Sequence, residues 1–145
     1  MKLIRPDSKY IQGYIEANEE DEIFRPNAER RFINPETIIE SSYNIEHGIN
    51  LPENYVKATT FWLIDNEKFI GEINVRHELN SFLINYGGHI GYEIRQSECM
   101  KGYGTKMLSI TFIDPILSSS HVIKTLCRFK VSLQYVSAIE SIFVP

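Results

Sequence analysis

The sequence predicts a mixed α+β domain, on three observations. Residues 59–76 hold two runs of β-branched and aromatic residues around a short polar turn. Residues 8–20 and 34–47 carry helical spacing or helix-start signals before that hairpin. Residues 89–112 then read as strand, loop and helix. The 145 residues suit one domain, 1–145, and one hydrophobic core.

The first strand is expected at 2–5, ended by Pro6 and Asp7. Ile11, Tyr14 and Ile15 give 8–20 a helical face, with Asp7 or Ser8 as N-cap. The run Glu19-Glu20-Asp21-Glu22 reads as a solvated helix end or loop. Asn34-Pro35-Glu36 reads as N-cap, first helical position and dipole-facing acid of a second helix reaching His47. Residues 48–54 are a loop. Strands are expected at 59–64 and 69–76, joined by Asp65-Asn66-Glu67. Residues 77–86 suit a short helix or an extended loop, broken by Gly87-Gly88. A strand at 89–95, a polar loop at 96–101 and a helix through Met107, Leu108 and Phe112 follow. Pro115 should stop or kink that helix. The tail changes character: few charges, many serines, and a strand-like run at 122–131.

Composition excludes several classes. Fifteen Lys and Arg against nineteen Asp and Glu give a formal charge of -4, which disfavours nucleic acid as a partner. No apolar run approaches the roughly 18 residues a membrane span needs, and the N-terminus lacks signal-peptide features. Cys99 and Cys127 have no CxxC spacing, so no disulfide framework or structural zinc site is expected. His47, His77, His89 and His121 show no HxxxH or HxH spacing, so no metal site is expected. The expected address is the cytoplasm.

The chemistry concentrates in 89–112. A strand delivers the chain to Gly102-Tyr103-Gly104-Thr105, which opens into a helix N-terminus. Unpaired N–H groups there favour an anion, and glycine allows close approach. A lone GxG before a helix is weak, and taken alone a tight strand-to-helix turn explains it better. The dinucleotide fingerprint fails at Met107, and the GxxxxGK[ST] phosphate loop fails for want of its first glycine. A small phosphorylated cofactor is left.

Gly91-Tyr92-Glu93-Ile94-Arg95, followed by Lys101-Gly102-Tyr103-Gly104-Thr105-Lys106-Met107-Leu108, resembles the acyl-CoA-binding motif of the GNAT superfamily of N-acetyltransferases. That motif is [QR]xxGx[GA] between a strand and a helix. The blocks 73–80 and 87–92 look like a poorly characterised bacterial branch of the same superfamily. The resemblance covers about residues 1–112. It implies a mixed, mostly antiparallel central sheet flanked by helices, acetyl-CoA as acyl donor and a primary amine as acceptor. It also implies that Ile94 and Arg95 offer main-chain groups to the pantetheine arm, with Gln96 entering the loop. The N–H groups of Lys101, Gly102, Tyr103, Gly104 and Thr105 would then hold the pyrophosphate. The sequence departs from the motif at Cys99, where Gln or Arg is usual, at Gln96, often Pro, and at Met100. Past residue 112 the likeness stops. The family's later helix start and helix tyrosine are not recognisable, and Tyr135 has no assignable place. An atypical tail at 113–145, truncated or altered in frame, is the expectation, leaving the C-terminal part of the sheet incomplete.

Candidate catalytic residues are His89, Glu93 and Glu72. Glu72 is a base bordering the cleft or an exposed strand carboxylate. Glu93 is a cleft base or a glutamate paired with Arg76 or Arg95. His89 is a base or a polar strand end. His77 and Asn80 line the acceptor pocket or cap a loop. Cys99, ahead of a helix N-terminus, would have a lowered thiol pKa, yet a chance replacement explains it better than a nucleophile. Phe61, Trp62 and Tyr92 read as core aromatics. The alternative to an active N-acetyltransferase is a catalytically silent protein that keeps CoA binding or an interaction role. Its exposed sheet edge would be covered by a partner or by a second copy in a homodimer. A plain nucleotide-binding module is disfavoured by the failed fingerprints.

Overall fold

The hairpin supplies the centre of the sheet. In the computed structural model, which describes residues 1–26 and 34–113, β2 (Ala58–Asp65) and β3 (Lys68–Arg76) pair antiparallel. Asn66 and Glu67 turn between them with φ of +48° and +60°. Two left-handed residues are what a two-residue turn needs to match strand twist. β1 (Lys2–Ile4) adds to β2 and β4 (Ile90–Ile94) to β3, both antiparallel, giving the order β1-β2-β3-β4. The chain is therefore an α+β fold with a four-stranded antiparallel sheet among its described residues.

Helices cover both faces. α1 (Ile11–Phe24) follows a single 3-10 turn, Ser8–Tyr10, whose Asp7 side chain accepts from the Lys9 N–H at 2.8 Å. The first helix thus starts at the expected cap but runs past residue 20. α2 (Ile38–His47) begins later than expected. Asn34 does cap, through its side chain to the Glu36 N–H at 2.9 Å, but residues 34–37 form turns and the regular helix starts at Ile38. α3 (Tyr103–Ile113) starts inside the glycine motif rather than after it. Leu83–Gly87 forms one π-helical turn. The expected strand at 122–131, Pro115, Cys127, Tyr135 and the atypical tail lie outside the described residues. Among the described residues, no helix is long and apolar enough to cross a membrane.

A bulge decides which side chains meet which helix. Leu63 faces Gly71, but Ile64 faces Phe69, so Ile70 is one extra residue on β3. Phe61, Leu63, Ile70, Ile73 and Val75 consequently bury against Met107 and Leu108 of α3. Trp62, Ile64 and Phe69 bury on the other face against Tyr10, Tyr14, Ala17 and Ile38. Tyr14 stacks on Trp62 at 4.9 Å, and Phe69 meets both rings edge-on. Phe61 and Trp62 are core aromatics, as expected, and Tyr92 packs partly buried against the α3 side.

The acidic run at 19–22 is not simply solvated. Asp21 is buried, and Glu20 holds Arg95, itself only 3% exposed. Arg95 Nε donates to Glu20 at 3.2 Å and its Nη1 to the Phe69 carbonyl at 3.2 Å. A helix carboxylate thus crosses to the end of β4.

Candidate functional site

Alternation along the strands puts Trp62 and Thr60 of β2, Glu72 and Asn74 of β3, and Gly91 and Glu93 of β4 on one face. α1 and α2 pack on this face around Trp62, Ile64 and Phe69. Thr60, Glu72, Asn74, Gly91 and Glu93 floor a cleft of about 740 Å³, walled by Ile45 of α2, by residues 54–56 and by Phe82, Leu83 and Tyr86. That volume is ample for a small-molecule ligand.

Two predicted carboxylates meet at the floor. Glu72 and Glu93 are direct cross-strand partners. A like charge so placed works against ionisation of Glu72. Burial, with the Glu93 charge adding to it, pushes the Glu72 pKa up to about 7, against the opposing hydrogen bond from Trp62. That bond, Trp62 Nε1 to Glu72 Oε2 at 3.0 Å, fixes the carboxylate. Reading Trp62 as core alone missed this role, and only the cross-strand register reveals it. Glu93 is paired with neither Arg76 nor Arg95. One partner among the described residues is Arg25, just past α1, whose Nη2 lies 2.8 Å from Glu93 Oε1 while also binding Asp21. The two carboxylates thus have different surroundings, the usual structural basis for dividing acid–base roles.

His89 does not join them. It lies just before β4, its carbonyl accepting from the Arg76 N–H at 2.8 Å, and it is not part of the cleft lining. Burial and the Arg76 charge lower its pKa. Asn80 lines the cleft and also caps a loop, accepting from the Leu83 N–H at 2.9 Å and donating to the Asn54 carbonyl at 2.7 Å. His77 instead shares a hydrogen bond with Thr59 at 2.8 Å.

β4 is the edge of the described sheet. The Arg76 N–H bond to His89 and the Arg95 N–H bond to Ile70 mark the residues that pair inward. By the antiparallel alternation, the main-chain groups of Ile90, Tyr92 and Ile94 point to the opposite, outer edge. The Ile94 carbonyl accepts from the Cys99 thiol at 3.7 Å. Arg95 pairs inward: its N–H is committed to the Ile70 carbonyl at 2.9 Å and its side chain to Glu20. Gln96 opens a 3-10 turn, Gln96–Glu98, and its side chain turns toward Asp21 at 3.4 Å.

The turn then leads to α3. Lys101 and Lys68 hold Glu98 at 2.9 and 2.6 Å, and Tyr103 donates to Asp65 at 3.0 Å. Tyr103, Gly104 and Thr105 form the first turn of α3, ahead of the first helical donor, Lys106 to the Gly102 carbonyl at 3.2 Å. Their N–H groups belong to the helix end where an anion is favoured. Gly102 has φ of +77° and open space around its missing Cβ, whereas a Cβ on Gly104 would come within 3.1 Å of the Tyr92 ring. One glycine serves the backbone turn and the other keeps helix and edge strand close. Replacing Gly102 by alanine is expected to cost about 1 kcal/mol in urea denaturation, through backbone strain alone. A loss several times larger would mean that the loop is more tightly enclosed than this open space allows. Proline is incompatible with φ of +77° and would perturb the fold itself.

Cys99 is exposed, and its thiol pKa is raised rather than lowered, first by burial of the sulfur and then by Glu93. A reactive thiolate is not set up.

No protein-family model, no curated protein and no solved structure matches this chain.

Proposed function

We propose that the chain is an acyl-CoA-dependent N-acetyltransferase of the GNAT type, transferring acetyl from acetyl-CoA to a primary amine. The observation that carries the reading is one juxtaposition. The Glu72–Glu93 pair lies on a cleft floor that includes β4, and the outer edge of β4 leads through one turn to the start of α3. The motif resemblance at 91–108 supports the same reading.

The residues have separable tasks. The outer main-chain groups of Ile90, Tyr92 and Ile94 would hold an extended amide-bearing arm as an added strand is held. The first-turn N–H groups of Tyr103, Gly104 and Thr105 would hold the diphosphate, with Lys101 and Gly102 leading in. Acetyl-CoA supplies the acetyl group as a thioester. Glu72, whose pKa lies near neutrality, takes a proton from the ammonium or attacking amine, directly or through one water. A C–N bond forms to the acetyl carbon as the C–S bond breaks, and the sulfur leaves as thiolate, protonated from solvent.

The test is a calorimetric titration with acetyl-CoA beside thiol release against a panel of primary amines. Acetyl-CoA is expected to bind the wild type. Gly104→Val should weaken binding at least about tenfold by forcing Tyr92 toward the β4 edge. No binding to the wild type would overturn the reading. Binding without turnover on any amine would favour the silent, CoA-holding alternative.

A further inference from the structure

The cleft has a second charged pole. Arg76 lies on the same face of β3 as Glu72 and Asn74 and is half-buried in the cleft lining. Its Nη1 donates to the Gly87 and Gly88 carbonyls at 3.1 and 2.9 Å. Carbonyl dipoles orient a guanidinium but do not neutralise it. No carboxylate among the described residues stands near enough to act as counter-ion, and burial alone acts on its pKa, lowering it. A cation kept half-buried without an anion is a costly arrangement unless a ligand completes it.

The direction of the side chain gives the spacing. Arg76 Nη2 lies 3.6 Å from where a Cβ on Gly91 would be, so the guanidinium leans along the sheet over Gly91. Gly91 and Glu93 are two residues apart on β4, or about 7 Å. The missing side chain at Gly91 leaves room between the poles. Asn74, opposite Gly91, donates to Thr60 at 3.1 Å, which orients its amide on the floor between them.

We infer that the cleft takes a zwitterion: an unbranched amine held at Glu72 and Glu93 that carries, four or five bonds away, a carboxylate held by Arg76. The inference rests on reading this cleft as the acceptor site and adds the chemical class of the acceptor. A carboxylate fits the planar donors left on Nη2 and Nε, and bidentate pairing of this kind is geometrically selective.

The experiment is calorimetry on the intact chain with three probes of equal length: δ-aminovalerate, n-pentylamine and n-valerate. δ-Aminovalerate is expected to bind about tenfold tighter than either single-pole probe. Arg76→Gln should remove its advantage over n-pentylamine while leaving n-pentylamine affinity within about twofold. Equal binding of δ-aminovalerate and n-pentylamine by the wild type, an advantage that survives Arg76→Gln, or no binding of any probe would each overturn the inference. The wild-type comparison decides the matter even if the variant does not fold. Acetyl-CoA, titrated separately, keeps the two readings apart. Failure of acetyl-CoA to bind refutes acetyl transfer and leaves the zwitterion result standing on its own data.

Discussion

Glu72→Gln is expected to make the protein more stable and the proposed reaction slower. In the folded chain Glu72 holds its proton up to about pH 7, against an ordinary value of 4.5. Below pH 4.5 both folded and unfolded states are protonated at this site, so the residue has no pH-dependent effect. Between there and pH 7 the folded state binds the extra proton, and stability falls as pH rises. The penalty is fully developed above pH 7. Glutamine cannot ionise and keeps an oxygen for Trp62 Nε1. The variant should therefore match wild type near pH 4 and exceed it by roughly 2 kcal/mol near pH 8, allowing for the partial solvent access of the cleft. Urea denaturation at the two pH values measures this. In the same variant, acetyl transfer should drop about 100- to 10,000-fold, the range for losing a general base. The wild-type rise of kcat/KM through about pH 7 should vanish with it. A variant that kept both rate and pH profile would remove Glu72 from the chemistry. One that lost stability at pH 8 would contradict the buried, proton-holding carboxylate.

Glu20→Ala is expected to be the most destabilising exchange of an outwardly polar residue. Glu20 accepts from Arg95 and also from the Ser97 N–H and hydroxyl, each at 3.0 Å. Removal strands a guanidinium that is 3% exposed, with Glu16 at 3.5 Å and one carbonyl as its remaining partners. Breaking such a pair from one side costs about 3 kcal/mol. It also loosens the turn that leads into α3, so acetyl-CoA affinity should fall with stability. The pH dependence has a definite sign. Burial works to raise the Glu20 pKa, but hydrogen bonds from Arg95 and Ser97 outweigh it, and the net shift is downward from 4.5. The stabilisation is present above pH 4.5 and is lost as pH falls through the lowered value. Wild type should thus lose stability on acidification below pH 4.5 through this site, and the variant should lack that component. Replacing both partners, Glu20→Leu with Arg95→Met, should cost less than the single change. A loss under about 1 kcal/mol for Glu20→Ala would show that solvent reaches Arg95.

The hairpin was legible because it is written in local chemistry: β-branched residues, alternation and a short polar turn at Asp65-Asn66-Glu67, of which the structure keeps only Asn66 and Glu67 between the strands. The glycine motif was legible for the same reason. The acidic run at 19–22 misled because charge composition registers affinity for water and not a partner 75 residues away. Glu93 misled similarly. Its neighbours in sequence and on the next strand are arginines, yet among the described residues a cation from the end of α1 reaches it. Arg95 carried the opposite surprise: the motif places it beside a cofactor, whereas its end-of-strand position turns it inward to the Phe69 carbonyl. The bulge at Ile70 was missed although Gly71, a lone glycine inside the strand run, is the signal for it: glycine in a strand interior marks a bulge or a close backbone approach.

The hairpin with its turn within Asp65-Asn66-Glu67, the strand at β4 and a helix following the glycine motif were legible in the sequence alone, whereas residues 77–86 stayed open between helix and loop and Glu72 and Glu93 drew interest through the family resemblance. The legible elements depend on side-chain and backbone preferences that act over a few residues. The tertiary structure alone decided which carboxylate faces which charge, that Trp62 fastens Glu72, and that Arg76 has no counter-ion among the described residues. Those outcomes depend on cross-strand register and on one inserted residue in β3. A register is chosen by the burial of a whole face at once, a property that no short stretch of chain contains.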